Sequence, residues 1–206
     1  MLETLPLLPF LMFAVVASIT PGPTNVIVLS HSARRGVLAT VPIILGACGG
    51  AALLVLAVGI GLGGALAAHP QIQHAMAWIG VGWLSWLAWQ IWRGPAAGID
   101  AGDAASTSAR RPLGLAGAAG LQVVNPKTWM MALAVVSVFA GDGADSSHRV
   151  ALLSLLFFVV SLPCMTTWAL LGAGAARLIR SPRHMKRFER LMAVVLAASA
   201  WATLLP

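Results

Sequence analysis

The stretch Thr20-Pro21-Gly22-Pro23-Thr24-Asn25 interrupts the first apolar run of the chain. Two prolines remove two backbone donors, and the glycine between them loosens the backbone, so a helix cannot run smoothly through this segment. In a bilayer the freed carbonyl groups need partners, and such a break is tolerated only where it is buried in protein or lines a wet cavity. The stretch therefore predicts a broken helix at a functional position of a membrane protein.

The composition of the whole chain supports a membrane setting. Of its 206 residues, 59% are hydrophobic and only 9% are charged, whereas soluble domains carry about 25% charged residues. So few charges could not cover a surface in water, and we therefore expect lipid as the solvent. The net charge of +7 does not indicate nucleic-acid binding, because the basic residues lie between the apolar runs. We expect no cleaved signal peptide, since the N-terminus lacks a basic segment.

Six apolar runs approach or exceed the length of about 20 residues that a membrane-spanning helix needs. We predict an all-α integral membrane protein with these six spans, of which the last is the shortest: Leu5 to Leu29, Val37 to Ala68, His74 to Trp92, Gly114 to Ala140, Val150 to Ala176 and Leu191 to Leu205. Small-residue spacings such as Gly46 with Gly50 allow close helix contact, either inside the protein or across a homodimer.

The basic residues predict how the chain is oriented. The connectors after the first, third and fifth spans hold eleven of the 13 Lys and Arg residues, whereas the opposite side holds only Arg149. Cytoplasmic loops carry the excess of positive charge, so these three connectors are predicted to be cytoplasmic and both termini to lie outside. The remaining basic residue, Lys127, lies within the fourth run.

The fourth run contains a second break, Asn125-Pro126-Lys127. A lysine near the bilayer centre costs roughly 3 kcal/mol on insertion scales, and an intramembrane ionisable residue is a functional-site hypothesis by default. The alternative is a structural lysine bonded to carbonyl groups that the proline break has freed.

The two breaks occupy corresponding positions, since Pro126 follows Pro21 by 105 residues in a chain of 206. Each half then holds three spans, and because three is odd the second half is inserted upside down, as in inverted-repeat transporters. We therefore predict one transporter domain over 1–206. Repeat one covers about 1–92, a flexible cytoplasmic linker about 93–113, and repeat two about 114–206.

The physics of the two breaks suits a zwitterion. Half-helix N-termini present free N–H groups and a positive dipole end to a carboxylate, and Lys127 adds a full positive charge. Amide, hydroxyl and freed carbonyl oxygens take the ammonium group, so the predicted substrate is a small amino acid or a close derivative. Trp83 either packs or lines the solute path. The predicted substrate-binding or translocation residues are Thr20, Pro21, Gly22, Pro23, Thr24, Asn25, Trp83, Asn125, Pro126 and Lys127.

The sequence contains no motif for catalysis. There is no His-Glu-x-x-His, no Gly-x-Ser-x-Gly and no paired cysteine motif, so we expect neither an enzyme nor a bound cofactor or metal. The alternatives are a transporter of another small solute or cation, an intramembrane enzyme resting on Lys127, and an assembly partner in a larger complex. All six acidic residues lie outside the predicted spans, so coupling would use Lys127, an interfacial histidine or the membrane potential.

The motifs together resemble those of the lysine-exporter and homoserine/threonine-exporter (LysE/RhtB) family of amino-acid efflux proteins. The resemblance rests on Thr20 to Asn25, Arg35-Gly36, Leu45-Gly46 to Gly50, Gly80-Val81-Gly82-Trp83-Leu84, and Asn125-Pro126-Lys127. It implies efflux from the cytoplasm across the bacterial inner membrane, powered by the proton gradient or the membrane potential. Trp83 departs from the family's usual tyrosine, which puts any inherited substrate in doubt. A related branch exports cadmium, but the predicted spans lack clustered Cys, His or Asp.

Overall fold

The computed structural model describes residues 7–64, 68–93, 113–141, 146–179 and 181–202, and within these ranges it is helical and contains no strand. The predicted linker, apart from its two ends, lies outside the described residues. The helices in chain order are α1 (Leu7–Ile19), α2 (Pro23–Arg35), α3 (Val37–Leu62), α4 (Pro70–Arg93), α5 (Leu115–Val123), α6 (Pro126–Ala140), α7 (Ser146–Leu178) and α8 (Pro182–Trp201).

Four of the predicted spans have the length and hydropathy that a membrane crossing requires. The helices α3 and α7 meet this requirement alone, and the bent pairs α1–α2 and α5–α6 each meet it as one broken span. Within the described ranges α4 and α8 do not meet it. The third and sixth spans therefore stay predictions.

Several helices extend beyond the predicted apolar runs, most of all α2 and α8, because those runs followed apolarity alone. The helix α2 continues past Leu29 to Arg35, which reduces the first connector to Gly36 with a φ of 84°. The helix α8 begins at Pro182 instead of Leu191. Four basic residues predicted to lie in the fifth connector therefore lie on α8. Their side chains are exposed, so the first half of this helix is polar: Arg183, Lys186, Arg187 and Arg190.

The helix pairings of the two halves correspond. The helix α3 packs against α5 and α6, while α7 packs against α1 and α2; α3 also contacts α7, and α4 pairs with α8. Exchanging the first half of the chain with the second maps the two pairings of α3 with α5 and α6 onto those of α7 with α1 and α2, and it leaves the α3–α7 and α4–α8 pairings unchanged. The packing is thus compatible with the predicted three-plus-three repeat.

Two glycines, one in each half of the chain, bring helix backbones together. A Cβ atom added to Gly46 of α3 would overlap main-chain atoms of Leu115 at the start of α5. A Cβ atom added to Gly172 of α7 would overlap main-chain atoms of Leu29 in α2. The glycines of α3 were predicted to allow close helix contact either inside the protein or across a homodimer. The structure shows the contact inside the protein.

Apolar clusters lie on both sides of the two breaks. One cluster joins α1, α3, α6 and α7 around Phe10, Phe139 and Phe157, with the Phe10 and Phe139 rings edge to face at 5.4 Å. The other two clusters join α2 and α5 to α3, α4, α7 and α8 around residues such as Val28 and Leu196. The buried polar side chains at the breaks, such as Thr24 and Asn125, thus lie between packed apolar clusters.

Candidate functional site

The first break bends α1 against α2 by 56°. The helix α2 restarts at Pro23, and Pro fits the first helical position because that residue's N–H would have no partner there. The carbonyl groups at the end of α1 lose their helical donors. Three side chains from three other helices donate to them instead: Asn25 Nδ2 to the Ser18 oxygen at 2.9 Å, Trp168 Nε1 to the Ile19 oxygen at 3.2 Å, and Lys127 Nζ to the Thr20 oxygen at 2.6 Å.

The second break bends α5 against α6 by 72°. Asn125 caps α6, since its side-chain oxygen accepts a hydrogen bond from the Lys127 backbone N–H at 3.2 Å. Pro126 occupies the first position of the new helix. The Val123 carbonyl, freed at the end of α5, accepts from Trp129 Nε1 at 2.7 Å. Both predicted breaks are therefore confirmed, and described residues satisfy the freed carbonyl groups named above.

The register between the two breaks differs from the sequence-based one. Pro23 and Pro126 both begin the second half-helix of a broken span, so Pro23 is the counterpart of Pro126. The equivalence of Pro21 with Pro126 is wrong by two residues, because spacing alone cannot tell which of two prolines starts the helix. Aligning the two prolines by position pairs Gly22 with Asn125 and Thr24 with Lys127.

Buried polar side chains connect the two breaks. Asn125 Nδ2 donates to Thr24 Oγ1 at 3.1 Å, and Thr24 Oγ1 donates to Gln122 Oε1 at 3.4 Å. The hydroxyl of Thr128 donates to the same Gln122 oxygen at 2.9 Å. All four side chains are buried, so this network fixes the α2 break against the α5–α6 break. Gln122 was missed by the sequence analysis, although a glutamine three residues before Asn125 in an apolar run is a visible signal.

Replacing Gln122 by leucine is expected to lower the stability of the protein by about 1–3 kcal/mol, the cost of leaving a buried polar group unsatisfied. The acceptor shared by Thr24 and Thr128 disappears, and both hydroxyls stay buried. Thermal unfolding in detergent measures the effect. Gln71→Leu, at an exposed position of α4, is the matched control, and equal melting temperatures for the two variants would contradict a structural role of the network.

Lys127 lies where the two broken spans meet. A Cβ atom at Gly22 would fall 2.9 Å from Lys127 Cδ and 3.0 Å from its Nζ, so the glycine makes room for the lysine stem. The only acidic residue within the described ranges is Glu189, and it pairs with Arg34 at 3.0 Å. Among the described residues, the Lys127 ammonium group therefore faces no carboxylate, and a backbone oxygen is its hydrogen-bond partner.

Two cavities adjoin Lys127. The first, of about 30 Å³, has room for about one water molecule, and we call it the small polar cavity because polar side chains make up about half of its lining residues: Ser18, Thr24, Asn25, Gln122, Asn125, Lys127, Thr128 and Ser161. The second, of about 200 Å³, is more open and is lined by Pro21, Gly22, Pro23, Lys127, Met130, Ser199 and Ala202. Lys127 thus lies between the small polar cavity and a larger cavity that few polar side chains line.

The structure also adds Ser18 to the predicted site and leaves Trp83 apart from it. Ser18 is 4% exposed and lines the small polar cavity, and its hydroxyl has no hydrogen-bond partner among the described residues. A serine two residues before a proline break in an apolar run is a weak signal, and the sequence analysis passed over it. Trp83 lies on an exposed face of α4 with its ring 4.9 Å from that of Trp86, and it lines neither cavity. The other nine predicted residues lie at the two breaks.

Comparison with known proteins identifies the class of protein. The profile of the LysE type translocator family matches residues 15–205. The chain therefore belongs to this family, as the motifs predicted.

Individual relatives are similar along most of their length. A cysteine/O-acetylserine efflux protein of Salmonella choleraesuis is 27% identical over 192 residues, 93% of each chain. A homoserine/homoserine lactone efflux protein of Salmonella typhimurium is 26% identical over 181 residues, 88% of this chain and 87% of the relative. An uncharacterized membrane protein of Vibrio cholerae is 28% identical over 188 residues, 89% of each chain. No solved structure matches the chain.

Proposed function

We propose that this protein exports small amino acids or close derivatives from the cytoplasm, driven by the proton gradient or the membrane potential. The observation that carries the proposal is the position of Lys127. Its ammonium group lies at the crossing of two broken helices, borders two cavities and is held by the Thr20 carbonyl oxygen instead of a carboxylate. A substrate carboxylate can therefore take the place of that oxygen as the partner of the ammonium group.

The surroundings of Lys127 suit both charges of an amino acid. The N-cap residue of α2 is Gly22, which has no side chain to cap the helix, so the first free N–H groups of its N-terminus add positive potential for a carboxylate. The small polar cavity offers oxygen atoms to an ammonium group, among them the unpartnered hydroxyl of Ser18. A zwitterion bound across Lys127 thus meets partners of the right sign at both ends.

The names of the relatives support an amino-acid substrate. Two relatives that align over most of the chain are named for the efflux of cysteine and O-acetylserine and of homoserine and its lactone. These compounds are amino acids or small derivatives of them. The direction of transport proposed for this chain also comes from these relatives.

Counterflow in proteoliposomes tests the proposal. Vesicles that hold unlabelled homoserine, cysteine or O-acetylserine should accumulate the labelled compound chemically unchanged, and protein-free vesicles should not. Imposing a pH gradient and a potassium diffusion potential separately identifies the driving force. A folded protein that exchanges no amino acid, that moves cadmium instead, or that alters the labelled compound would overturn the proposal.

The proposed arrangement in the membrane has six spans in two inverted repeats, basic connectors in the cytoplasm of the bacterial cell, and both termini outside. A reporter that is active only in the cytoplasm is expected to be inactive when fused after Pro206 or before Met1, and active when inserted near residue 100, because the basic residues stay inside. The three fusions are compared at equal expression. Activity at either terminus contradicts the orientation.

A further inference from the structure

The larger cavity beside Lys127 is lined by residues that the proposed binding of a carboxylate and an ammonium group does not use. It measures about 200 Å³, and its walls away from the breaks come from Met130 on α6, Ser199 on α8 and Ala202 just after α8. These residues are neutral, and two of the three are apolar. None of them was predicted from the sequence to belong to the site.

We propose that this cavity holds the side chain of the substrate and that Met130 and Ser199 select small neutral side chains. The inference rests on the proposed function, since it assumes that Lys127 binds the carboxylate. With the carboxylate at the ammonium group, the larger cavity is the space next to Lys127 that can hold more than one or two atoms. The small polar cavity, at about 30 Å³, has room for a single polar group.

Charge excludes basic side chains from this cavity. A second cation there would lie next to the Lys127 ammonium group, and like charges brought together in a medium of low dielectric constant repel strongly. Within the described ranges the one acidic residue, Glu189, is paired with Arg34 on α2. No described carboxylate borders the cavity, so the repulsion would be uncompensated. We therefore expect lysine and arginine to be rejected.

Size and hydrogen bonding narrow the choice among neutral side chains. Pockets for drug-sized ligands measure about 300–1,000 Å³, and this cavity is smaller. The hydroxyl of Ser199 donates to the Leu196 carbonyl at 2.9 Å, so its oxygen keeps lone pairs for a donor on the substrate. A short side chain that ends in a hydroxyl or thiol group satisfies both conditions.

Competition in the counterflow assay tests the selection by size. Wild-type protein should exchange homoserine in preference to leucine, and lysine should not compete. Met130→Ala should raise the ratio of leucine to homoserine transport by about 10-fold or more, the effect of one or two methylene groups on discrimination in an apolar pocket. Met12→Ala is the matched control, because Met12 on α1 is 62% exposed against 64% for Met130, and it lines neither cavity.

A second substitution tests the role of the hydroxyl group. Ser199→Ala should reduce the preference for homoserine over 2-aminobutyrate, which lacks the hydroxyl, and Ser147→Ala at an exposed position of α7 should leave it unchanged. Because both readouts are ratios between substrates, a loss of folded protein does not move them.

The possible failures are distinguishable. If amino acids are exchanged but lysine competes as well as homoserine, or if Met130→Ala and Met12→Ala give the same ratio, the inference is wrong and the proposed function stands. If no amino acid is exchanged by folded wild-type protein, the proposed function fails first.

Discussion

Replacing Lys127 by methionine is expected to slow amino-acid transport by about 10- to 100-fold. Methionine keeps an unbranched stem over Gly22 but removes the ammonium group that bonds the Thr20 carbonyl oxygen at 2.6 Å. A hydrogen bond to a charged group contributes about 1.5–3 kcal/mol, and each ~1.4 kcal/mol corresponds to a factor of ten. The initial rate of counterflow below saturation, normalised to folded protein, measures the effect.

Lys186→Met provides the matched control, because Lys186 is an exposed residue of α8 far along the helix from the cavity. It removes the same charge from the chain and should leave the rate unchanged. The alternative role of Lys127 is purely structural. With that role, Lys127→Met would have a lower melting temperature but an unchanged counterflow rate per folded molecule. This outcome would contradict the proposed site.

The second large effect is expected at Gly46, where an alanine should destabilise the protein by about 1–3 kcal/mol through overpacking. A Cβ atom there would lie 2.8 Å from the Leu115 carbonyl carbon and 2.9 Å from its Cα. These are backbone atoms, so a rotamer change cannot relieve the overlap, and α3 must move away from α5. The melting temperature in detergent should fall accordingly.

The control for Gly46→Ala is Gly120→Ala in α5, where a Cβ atom would meet no other atom within 4 Å. Alanine is a better helix former than glycine by about 1 kcal/mol, so Gly120→Ala should leave the melting temperature unchanged or raise it. The two identical substitutions thus have opposite expected signs. A decrease of the same size in both would mean that glycine is needed for flexibility and not for close helix contact.

The breaks were predictable from the sequence because their cause is local. Proline removes a backbone donor wherever it occurs. The start of a new helix at Pro23 and at Pro126 can therefore be predicted without knowing the fold. The helix ends were less predictable, because a charged amphipathic segment such as the start of α8 looks like a connector when only apolarity is counted. Which of Pro21 and Pro23 begins α2 depends on the path of the chain through the bend.

The side chains that complete the site required the fold. Ser18 and Gln122 lie in apolar runs, and their neighbours in the sequence do not indicate whether their side chains point into the protein or towards the lipid. In the fold, both side chains line the same cavity. Met130 and Ser199 are 69 residues apart in the sequence, and the packing of α8 beside the first break brings them to one cavity. Trp83 was proposed from its place in a motif, but it lies on an exposed face of α4, away from both cavities.

The bond between Lys127 and the Thr20 carbonyl joins residues 107 positions apart, and under the proposed function this oxygen occupies the place that a substrate carboxylate would take. The ammonium group meets the partly negative C-terminal end of α1, so loading the site exchanges one partner for another and buries no new unpaired charge on the protein. A solute without a carboxylate offers this lysine nothing stronger than the oxygen it already has. Under the proposed function, we therefore expect uncharged metabolites without a carboxylate to compete poorly with the protein's own backbone for Lys127.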